Sequence, residues 1–132
     1  WYEIDIEAQS VIQSGIFFGA STSDDFNPSI GVNDNKDVFV TWSSTKSLDR
    51  EGVPGYQAQV RASGRLSIDP PNEIPSGSAV FQSPTFHTLG RWGDYSAVTV
   101  DPSNPACAWG VNEKGETRSD RWGSFIFRAC FP

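Results

Sequence analysis

Few side chains in this sequence have the type and spacing that acid–base or nucleophilic chemistry requires. His87 is the one histidine among 132 residues, which excludes a cage of several histidines and makes any Ser-His-Asp triad depend on it. It lies in a stretch rich in Pro, Thr and Gly, which is typical of a surface loop. The sequence contains no P-loop, dinucleotide-binding, HExxH or GxSxG motif. No catalytic residue is therefore assigned, and a chain that is not an enzyme is favoured.

Carboxylates and amides gather in two short clusters. Oxygen ligands in turns suit Ca²⁺, but neither cluster has the spacing of an EF-hand or of a calcium-binding nonapeptide repeat. We interpret both as solvated turns and assign no metal ligand and no cofactor, with Ca²⁺ as the alternative. The two clusters consist of Asp24 and Asp25, and of Asn33, Asp34, Asn35 and Asp37.

The segment with Trp92, Asp94 and Tyr95 is the candidate ligand-binding site. It combines two aromatic rings and a carboxylate immediately before an apolar strand. Flat aromatic faces at the entry to a strand suit the rings of sugars. The alternative, which we favour for these three residues, is a packing corner in which Asp94 caps a turn and Trp92 fills a gap between sheets.

The elements that must position these residues are short antiparallel strands. Apolar residues alternate with a period of two, and no stretch has the periodicity of an amphipathic helix. Residues 28–33 and 37–42 form two such runs around the polar turn 34–36, which indicates a β-hairpin. Gly and Pro together number 21 and recur between the runs. The sequence therefore predicts an all-β chain of about nine strands.

The pattern repeats along the chain. Trp109 follows Trp42 by 67 residues, and Arg128 follows Arg61 by the same interval. Internal repetition of a β unit is typical of a propeller, a solenoid or an array. The shared position of the two tryptophans favours packing in the core over stacking on a ligand. We interpret each unit as an antiparallel, propeller-like blade.

The whole chain, 1–132, is interpreted as a single module, and the repeat divides it into segments that belong to three successive blades. Residues 1–18 would be the end of one blade, 19–86 a second blade and 87–132 a third. Because a propeller ring contains at least four blades, this ring would be incomplete. The missing strands would come from the rest of a longer chain or from sister subunits, unless the sheets pack in a different way. The chain contains no methionine and begins with Trp1, so we expect it to be a processed product or a piece of a longer protein.

Composition and charge limit the partners. The net charge of −6 argues against nucleic acid, which needs clustered Lys and Arg, and against anionic membrane surfaces. No run of 18 apolar residues is present, so insertion into a membrane is not expected.

The two cysteines fit the last predicted hairpin. If 106–112 pairs with 122–130, Cys107 lies opposite Cys130 and Trp109 opposite Arg128. Directly opposed residues have the close Cα approach that a disulfide tolerates, and two buried free thiols are the alternative. A disulfide would stabilise the fold by about 3 kcal/mol and would indicate an oxidising, extracytoplasmic setting.

One stretch near the C-terminal end of the sequence contains a recognisable motif. Residues 91–102 (RWGDYSAVTVDP) are followed by 107–113 (CAWGVNE) and by Cys130. This phrase resembles the C-terminal module of secreted, sialidase-like (BNR-type) β-propeller proteins. The resemblance implies a secreted or cell-surface propeller whose missing part is N-terminal. The Asp-box of true sialidases, Ser-x-Asp-x-Gly-x-Thr-Trp, is absent, so the resemblance does not extend to sialidase activity.

Three functions follow from these observations. The favoured one is an extracellular binding or structural module that recognises a glycan or a protein surface and is not catalytic by itself. The second is a protomer of an extracellular oligomer or filament, completed by strand pairing between copies of the chain. The third is a piece of a secreted glycoside hydrolase whose catalytic residues, a pair of carboxyl groups about 5–10 Å apart, lie elsewhere in the ring. The mixed-charge segment 113–121 is interpreted as a solvated loop.

Overall fold

The computed structural model describes residues 1–21, 23–45, 57–88 and 91–132. These residues contain nine β-strands and no helix, which confirms the prediction of an all-β chain. The strands are β1 (Tyr2–Asp5), β2 (Ser10–Ser14), β3 (Asp25–Val32), β4 (Val38–Ser44), β5 (Gln59–Arg65), β6 (Ser78–Gln82), β7 (Ser96–Val100), β8 (Cys107–Gly115) and β9 (Trp122–Cys130).

The strands form three antiparallel sheets, each built from neighbours along the chain. The first sheet contains β1 and β2, the second contains β3 to β6 in order, and the third contains β7 to β9 in order. No barrel closes among the described residues. Thr41 lies beside Ala62 in the second sheet, and Ala108 lies beside Ala129 in the third, with the same 67-residue interval between equivalent positions. The repeat in the sequence therefore corresponds to a repeated strand register.

The central strand β4 has every residue buried, because it is covered on both faces. On one face, Val40 and Trp42 pack with Ile74 and are covered by Trp1 and Phe17. Residues of the opposite face point to the third sheet. A strand that is buried on both faces has a nearly continuous apolar sequence rather than an alternating one. This explains the sequence Val-Phe-Val-Thr-Trp in β4.

The second and third sheets pack face to face. Strand β3 lies beside β7, and β4 lies against β8. The hydroxyl oxygens of Ser29 and Ser96 are 2.8 Å apart across this contact. Gly31 faces Val98 so closely that an added Cβ would lie 2.8 Å from the Cγ1 of that valine. The absence of a side chain at Gly31 therefore allows the two strands to approach each other.

The first sheet attaches to the second through polar contacts. The backbone nitrogen of Ser14 donates to the Oδ1 of Asn72 at 3.0 Å, and Glu3 lies 3.6 Å from the ammonium group of Lys36. Glu3 therefore lies on the face of the first sheet that points to the second sheet. Side chains alternate along a strand, so Tyr2 and Ile4 lie on the outer face, where both are exposed.

Trp42 and Trp109 occupy equivalent register positions but different environments. Trp42 is 1% exposed and Trp109 is 43% exposed. The prediction that both tryptophans pack in the core is therefore correct for Trp42 and wrong for Trp109. The flanking residues Ala108 and Gly110 face the second sheet, so alternation directs Trp109 to the outer face of the third sheet, which no other described sheet covers.

Candidate functional site

The predicted disulfide is present. Cys107 and Cys130 are directly opposed at the ends of β8 and β9, with their sulfur atoms 2.07 Å apart. Trp109 lies opposite Arg128, as the predicted hairpin register requires. A structural disulfide is typical of proteins outside the reducing cytoplasm. Among the described residues there is no helix with the length and apolar character needed to cross a membrane.

The predicted ligand-binding residues separate into two groups. Trp92 is partly buried and packs edge-on against Phe26, with ring centroids 6.1 Å apart, and against His87, at 5.7 Å. Asp94 and Tyr95 are exposed. The position of Trp92 is that of the packing corner, whereas Asp94 and Tyr95 remain accessible. The role of the three residues in ligand binding stays a prediction.

A buried polar contact holds this corner. The backbone nitrogen of Gly93, which has a φ of 81°, donates a hydrogen bond to the Oε2 of Glu113. Glu113 is buried, so its interpretation as part of a solvated loop is wrong. Asn112 beside it accepts hydrogen bonds from the hydroxyl of Ser43 at 2.9 Å and from the nitrogen of Glu113 at 2.8 Å. These bonds join the corner to β8 and β8 to β4.

The second acidic cluster is also partly buried. Asn33 donates to the Oδ2 of Asp37 at 3.0 Å and to the carbonyl of Pro105 at 2.8 Å. Hydrogen bonds from Asn33 and from the nitrogen of Ser67 hold the pKa of Asp37 below its ordinary value. The interpretation as a solvated turn is wrong for Asn33 and Asp37, because their polar atoms are used to join the β3–β4 turn to neighbouring loops. No group of three metal-binding side chains occurs in the part of the chain that the structure describes.

A pocket with aromatic walls opens beside the start of β3. Its volume is about 180 Å³. We call it the aromatic pocket. Its lining residues are Trp1, Gly15, Ile16, Phe17, Asp25, Phe26, Pro28 and Trp42. Phe26 lies both in the pocket and against Trp92, so the pocket adjoins the segment that contains Asp94 and Tyr95.

Asp25 orders the walls of the aromatic pocket. Its Oδ1 accepts a hydrogen bond from the indole nitrogen of Trp42 at 2.9 Å. Burial raises the pKa of Asp25, but hydrogen bonds from four donors outweigh it, so the pKa lies below its ordinary value. The donors are Ser44, Gly19, Ser23 and Trp42. The interpretation of Asp25 as part of a solvated turn is therefore wrong, and its carboxylate is ionised and engaged with the protein.

The ring of Trp42 is supported from two sides. Phe17 meets it edge-on with ring centroids 5.0 Å apart, and the guanidinium of Arg61 lies 5.7 Å from the ring centre. Arg61 is buried and donates to the backbone carbonyls of Ser76 and Gly77 at 3.0 and 2.9 Å. This arrangement fixes the wall of the pocket before any ligand binds.

Sequence reasoning did not identify the aromatic pocket. Its residues come from the N-terminus, the segment after β2, and strands β3 and β4. The aromatic residues of these segments were visible, but the sequence gives no indication that Trp1 and Phe17 lie over Trp42.

Comparison with protein-family models, with curated proteins and with solved structures finds no match for this chain. The class that the fold and the site define is an all-β, disulfide-bonded chain of three antiparallel sheets with an aromatic pocket. The resemblance to sialidase-like propeller modules stays a prediction.

Proposed function

We propose that this chain is an extracellular, secreted or cell-surface binding module of propeller-like architecture, which recognises a glycan or a protein surface and is not catalytic by itself. The observation that carries this proposal is the aromatic pocket of about 180 Å³. Ligand sites are concave and mostly apolar, with a few polar groups that fix orientation. The pocket has this composition, with one ionised carboxylate among its aromatic walls.

The packing of the sheets supports the propeller-like part of the proposal. Each sheet is built from consecutive antiparallel strands, and β3 and β7 lie side by side where the second and third sheets meet. In a propeller, blades of consecutive antiparallel strands surround a central channel. The three sheets would then form part of a ring with two, four and three strands.

The hydrogen bonds that two carboxylates, Asp25 and Glu113, accept favour a structural role for them over catalysis. A general base needs an accessible lone pair within reach of the proton that it removes. The Oδ1 of Asp25 accepts from Trp42, and its Oδ2 accepts from the nitrogen of Gly19 and the hydroxyl of Ser23 at 2.9 and 2.8 Å. Glu113 accepts from Gly93. Asp25 thus holds the wall of the pocket together, and Glu113 holds the neighbouring corner at Gly93.

The size of the pocket limits what can enter it. Sites for drug-sized ligands have volumes of about 300–1,000 Å³, so this pocket accommodates one sugar ring or one side chain of a protein partner. Aromatic faces pack against the apolar faces of such groups. Asp94 and Tyr95, exposed in the adjoining segment, would contact the part of the ligand that lies outside the pocket.

The test compares two exposed isoleucines. Ile16 lines the pocket and is 85% exposed, whereas Ile68 lies in the β5–β6 loop and is 87% exposed. Ligands would be identified on arrays of glycans and of extracellular proteins, and their affinities measured by calorimetry. We expect Ile16→Asp to weaken binding at least about tenfold, equivalent to about 1.4 kcal/mol, and Ile68→Asp to leave it unchanged.

Two results would contradict this proposal. One is equal affinity of the wild type and Ile16→Asp for every ligand found, and the other is the absence of any ligand on both kinds of array. Hydrolysis of a glycoside by the purified wild-type chain would contradict the part of the proposal that says the chain is not catalytic by itself.

A further inference from the structure

The third sheet ends on a long edge strand. In the second sheet, β5 is bonded to β4 on one side and to β6 on the other. In the third sheet, β9 follows β8 in the same way, but no strand in the described part of the chain pairs with its other edge. An edge strand presents a row of unpaired backbone donors and acceptors to any chain that can pair with it.

The hydrogen bonds at the two ends of the β8–β9 hairpin show which backbone groups are unpaired. The backbone nitrogen of Phe131 donates to the carbonyl of Ala106 at 2.9 Å, and that of Glu116 donates to the carbonyl of Arg121 at 3.1 Å. Bonded and non-bonded pairs alternate in an antiparallel ladder. The odd-numbered residues of β9 therefore bond to β8, and the even-numbered residues direct their N–H and C=O groups away from it. These even-numbered residues are Trp122, Ser124, Ile126, Arg128 and Cys130.

Strand β9 lacks the features that normally protect the edge of a sheet. Protected edges are short or bulged, or they contain Pro or Lys. The edge strands β2 and β6 have five residues each, and the register of each shifts within its sheet. Strand β9 has nine residues in unbroken register with β8, and it contains no Pro, Lys, Asp or Glu. Its one charged residue, Arg128, is paired with Asp101 at 2.8 Å.

The sequence of β9 is nearly symmetric about Ile126. Phe125 and Phe127 flank this residue, and the small residues Gly123 and Ala129 follow on either side. In an antiparallel pair of two β9 strands centred on Ile126, each copy of this isoleucine faces the other. Phe125 then faces Phe127 of the other strand, and Gly123 faces Ala129. Aromatic and β-branched cross-strand pairs stabilise a sheet, so β9 is suited to pairing with itself.

We propose that β9 pairs antiparallel with β9 of a second copy of this chain and joins two three-stranded sheets into one sheet of six strands. All nine residues overlap, and the N–H and C=O groups that point away from β8 are then bonded. Arg128 faces Ser124 of the second copy, so no like charges are opposed. A two-fold axis relates the copies, so the contact is closed and assembly stops at a dimer.

The variant that tests the pairing is Ile126→Pro. Proline is tolerated on an edge strand where its missing N–H would face solvent, so this variant should keep its ladder to β8. Each dimer would lose two central donors, and we expect its dissociation constant to rise at least about tenfold. Ile126→Thr is the matched control, because it keeps the N–H and a β-branched side chain. It should dimerise within about threefold of the wild type.

Two measurements follow the dimer. Sedimentation equilibrium over a range of concentrations should show wild-type subunits of 14.5 kDa that form a dimer and dissociate on dilution. Amide hydrogen exchange then locates the contact in the wild type. The amides of Ser124, Ile126 and Arg128 should be protected at high concentration and exchange rapidly on dilution. The amides of Phe125 and Phe127 should stay protected at both concentrations, because they bond to β8.

Three results would overturn the proposal. They are a wild-type chain that stays monomeric at every concentration, a folded Ile126→Pro variant that dimerises like the wild type, and a dimer that does not protect the amides of Ser124, Ile126 and Arg128. The exchange measurement uses the wild type alone, so it decides the question even if the proline variant does not fold. No residue of β9 lines the aromatic pocket, where binding is measured with Ile16→Asp, so either proposal can fail without the other.

Discussion

The carboxylate of Asp25 accepts a hydrogen bond from the indole nitrogen of Trp42 at 2.9 Å, although the two residues are 17 positions apart. This bond joins the start of β3 to the buried end of β4. It satisfies the polar atom of a tryptophan that is 1% exposed, and it aligns one wall of the aromatic pocket. Trp42 therefore packs in the core and also forms a wall of the aromatic pocket.

Removal of this acceptor should destabilise the fold. In Asp25→Ala, the indole nitrogen of Trp42 loses its partner inside the protein, and an unsatisfied buried donor costs about 1–3 kcal/mol. We expect a decrease of that size in the free energy of unfolding, measured by urea denaturation. Asp24→Ala is the matched control, because Asp24 is exposed, and it should change stability by less than about 0.5 kcal/mol. Equal effects of the two substitutions would contradict the structural role of Asp25.

Stability should decrease in acid. The pKa values of Asp25, Asp37 and Asp101 all lie below the ordinary value of 3.8. Hydrogen bonds from Ser103 and contact with Arg128 lower the pKa of Asp101. A carboxyl group whose pKa is depressed in the folded state contributes stability above its unfolded pKa, and that contribution is lost as pH falls through the folded pKa.

We therefore expect the urea midpoint to be constant near neutral pH and to decrease below about pH 4. Asp101→Asn should reduce the steepness of this decrease, because one depressed carboxyl group no longer titrates. An identical acid profile for Asp101→Asn and the wild type would show that Asp101 does not contribute to it.

The close approach of β3 and β7 can be tested at Gly31. A Cβ at this position would lie 2.8 Å from the Cγ1 of Val98, so Gly31→Ala should force the strands apart and cost about 1–3 kcal/mol. Val98→Ala in the same chain removes the clashing methyl group and should restore part of the loss. A double-mutant cycle of unfolding free energies measures this coupling, and additive effects would mean that the two residues do not limit the approach of the strands.

Trp92 and Tyr95 should differ in their contributions to stability. Trp92 packs against Phe26 and His87, so Trp92→Ala should lower the free energy of unfolding by about 2 kcal/mol through lost burial and ring contacts. Tyr95 is 75% exposed, and Tyr95→Ala should change it by less than about 0.5 kcal/mol. Thermal and urea unfolding of both variants measure the difference, and a larger loss in Tyr95→Ala would refute this assignment of roles.

Several features of the fold could be predicted from local patterns. Period-two alternation and turn residues predict the strands and the absence of helices. The 67-residue interval predicts the shared register of Trp42 with Arg61 and of Trp109 with Arg128, which the sheets contain. The antiparallel register of the last hairpin also predicts the Cys107–Cys130 disulfide. These features depend on residues that are close in the chain or directly opposed in one hairpin.

The environments of the same residues could not be predicted in this way. Asp25, Asp37 and Glu113 look like surface acids in the sequence, but each accepts a hydrogen bond from a residue outside the strand or turn that contains it. A polar residue can be buried at low cost when such donors surround it, and the donors come together only when the sheets and loops are packed.

The sequence by itself determined the strand pattern, the repeat and the disulfide of this protein, because these follow from alternation and from register within hairpins. Only the tertiary structure decided which face of each sheet is covered. Trp42 and Trp109 have the same local pattern, yet Phe17 and Trp1 cover the first and leave the second exposed. Whether a side chain is buried depends on the residues that pack against it, and those residues are distant in the sequence.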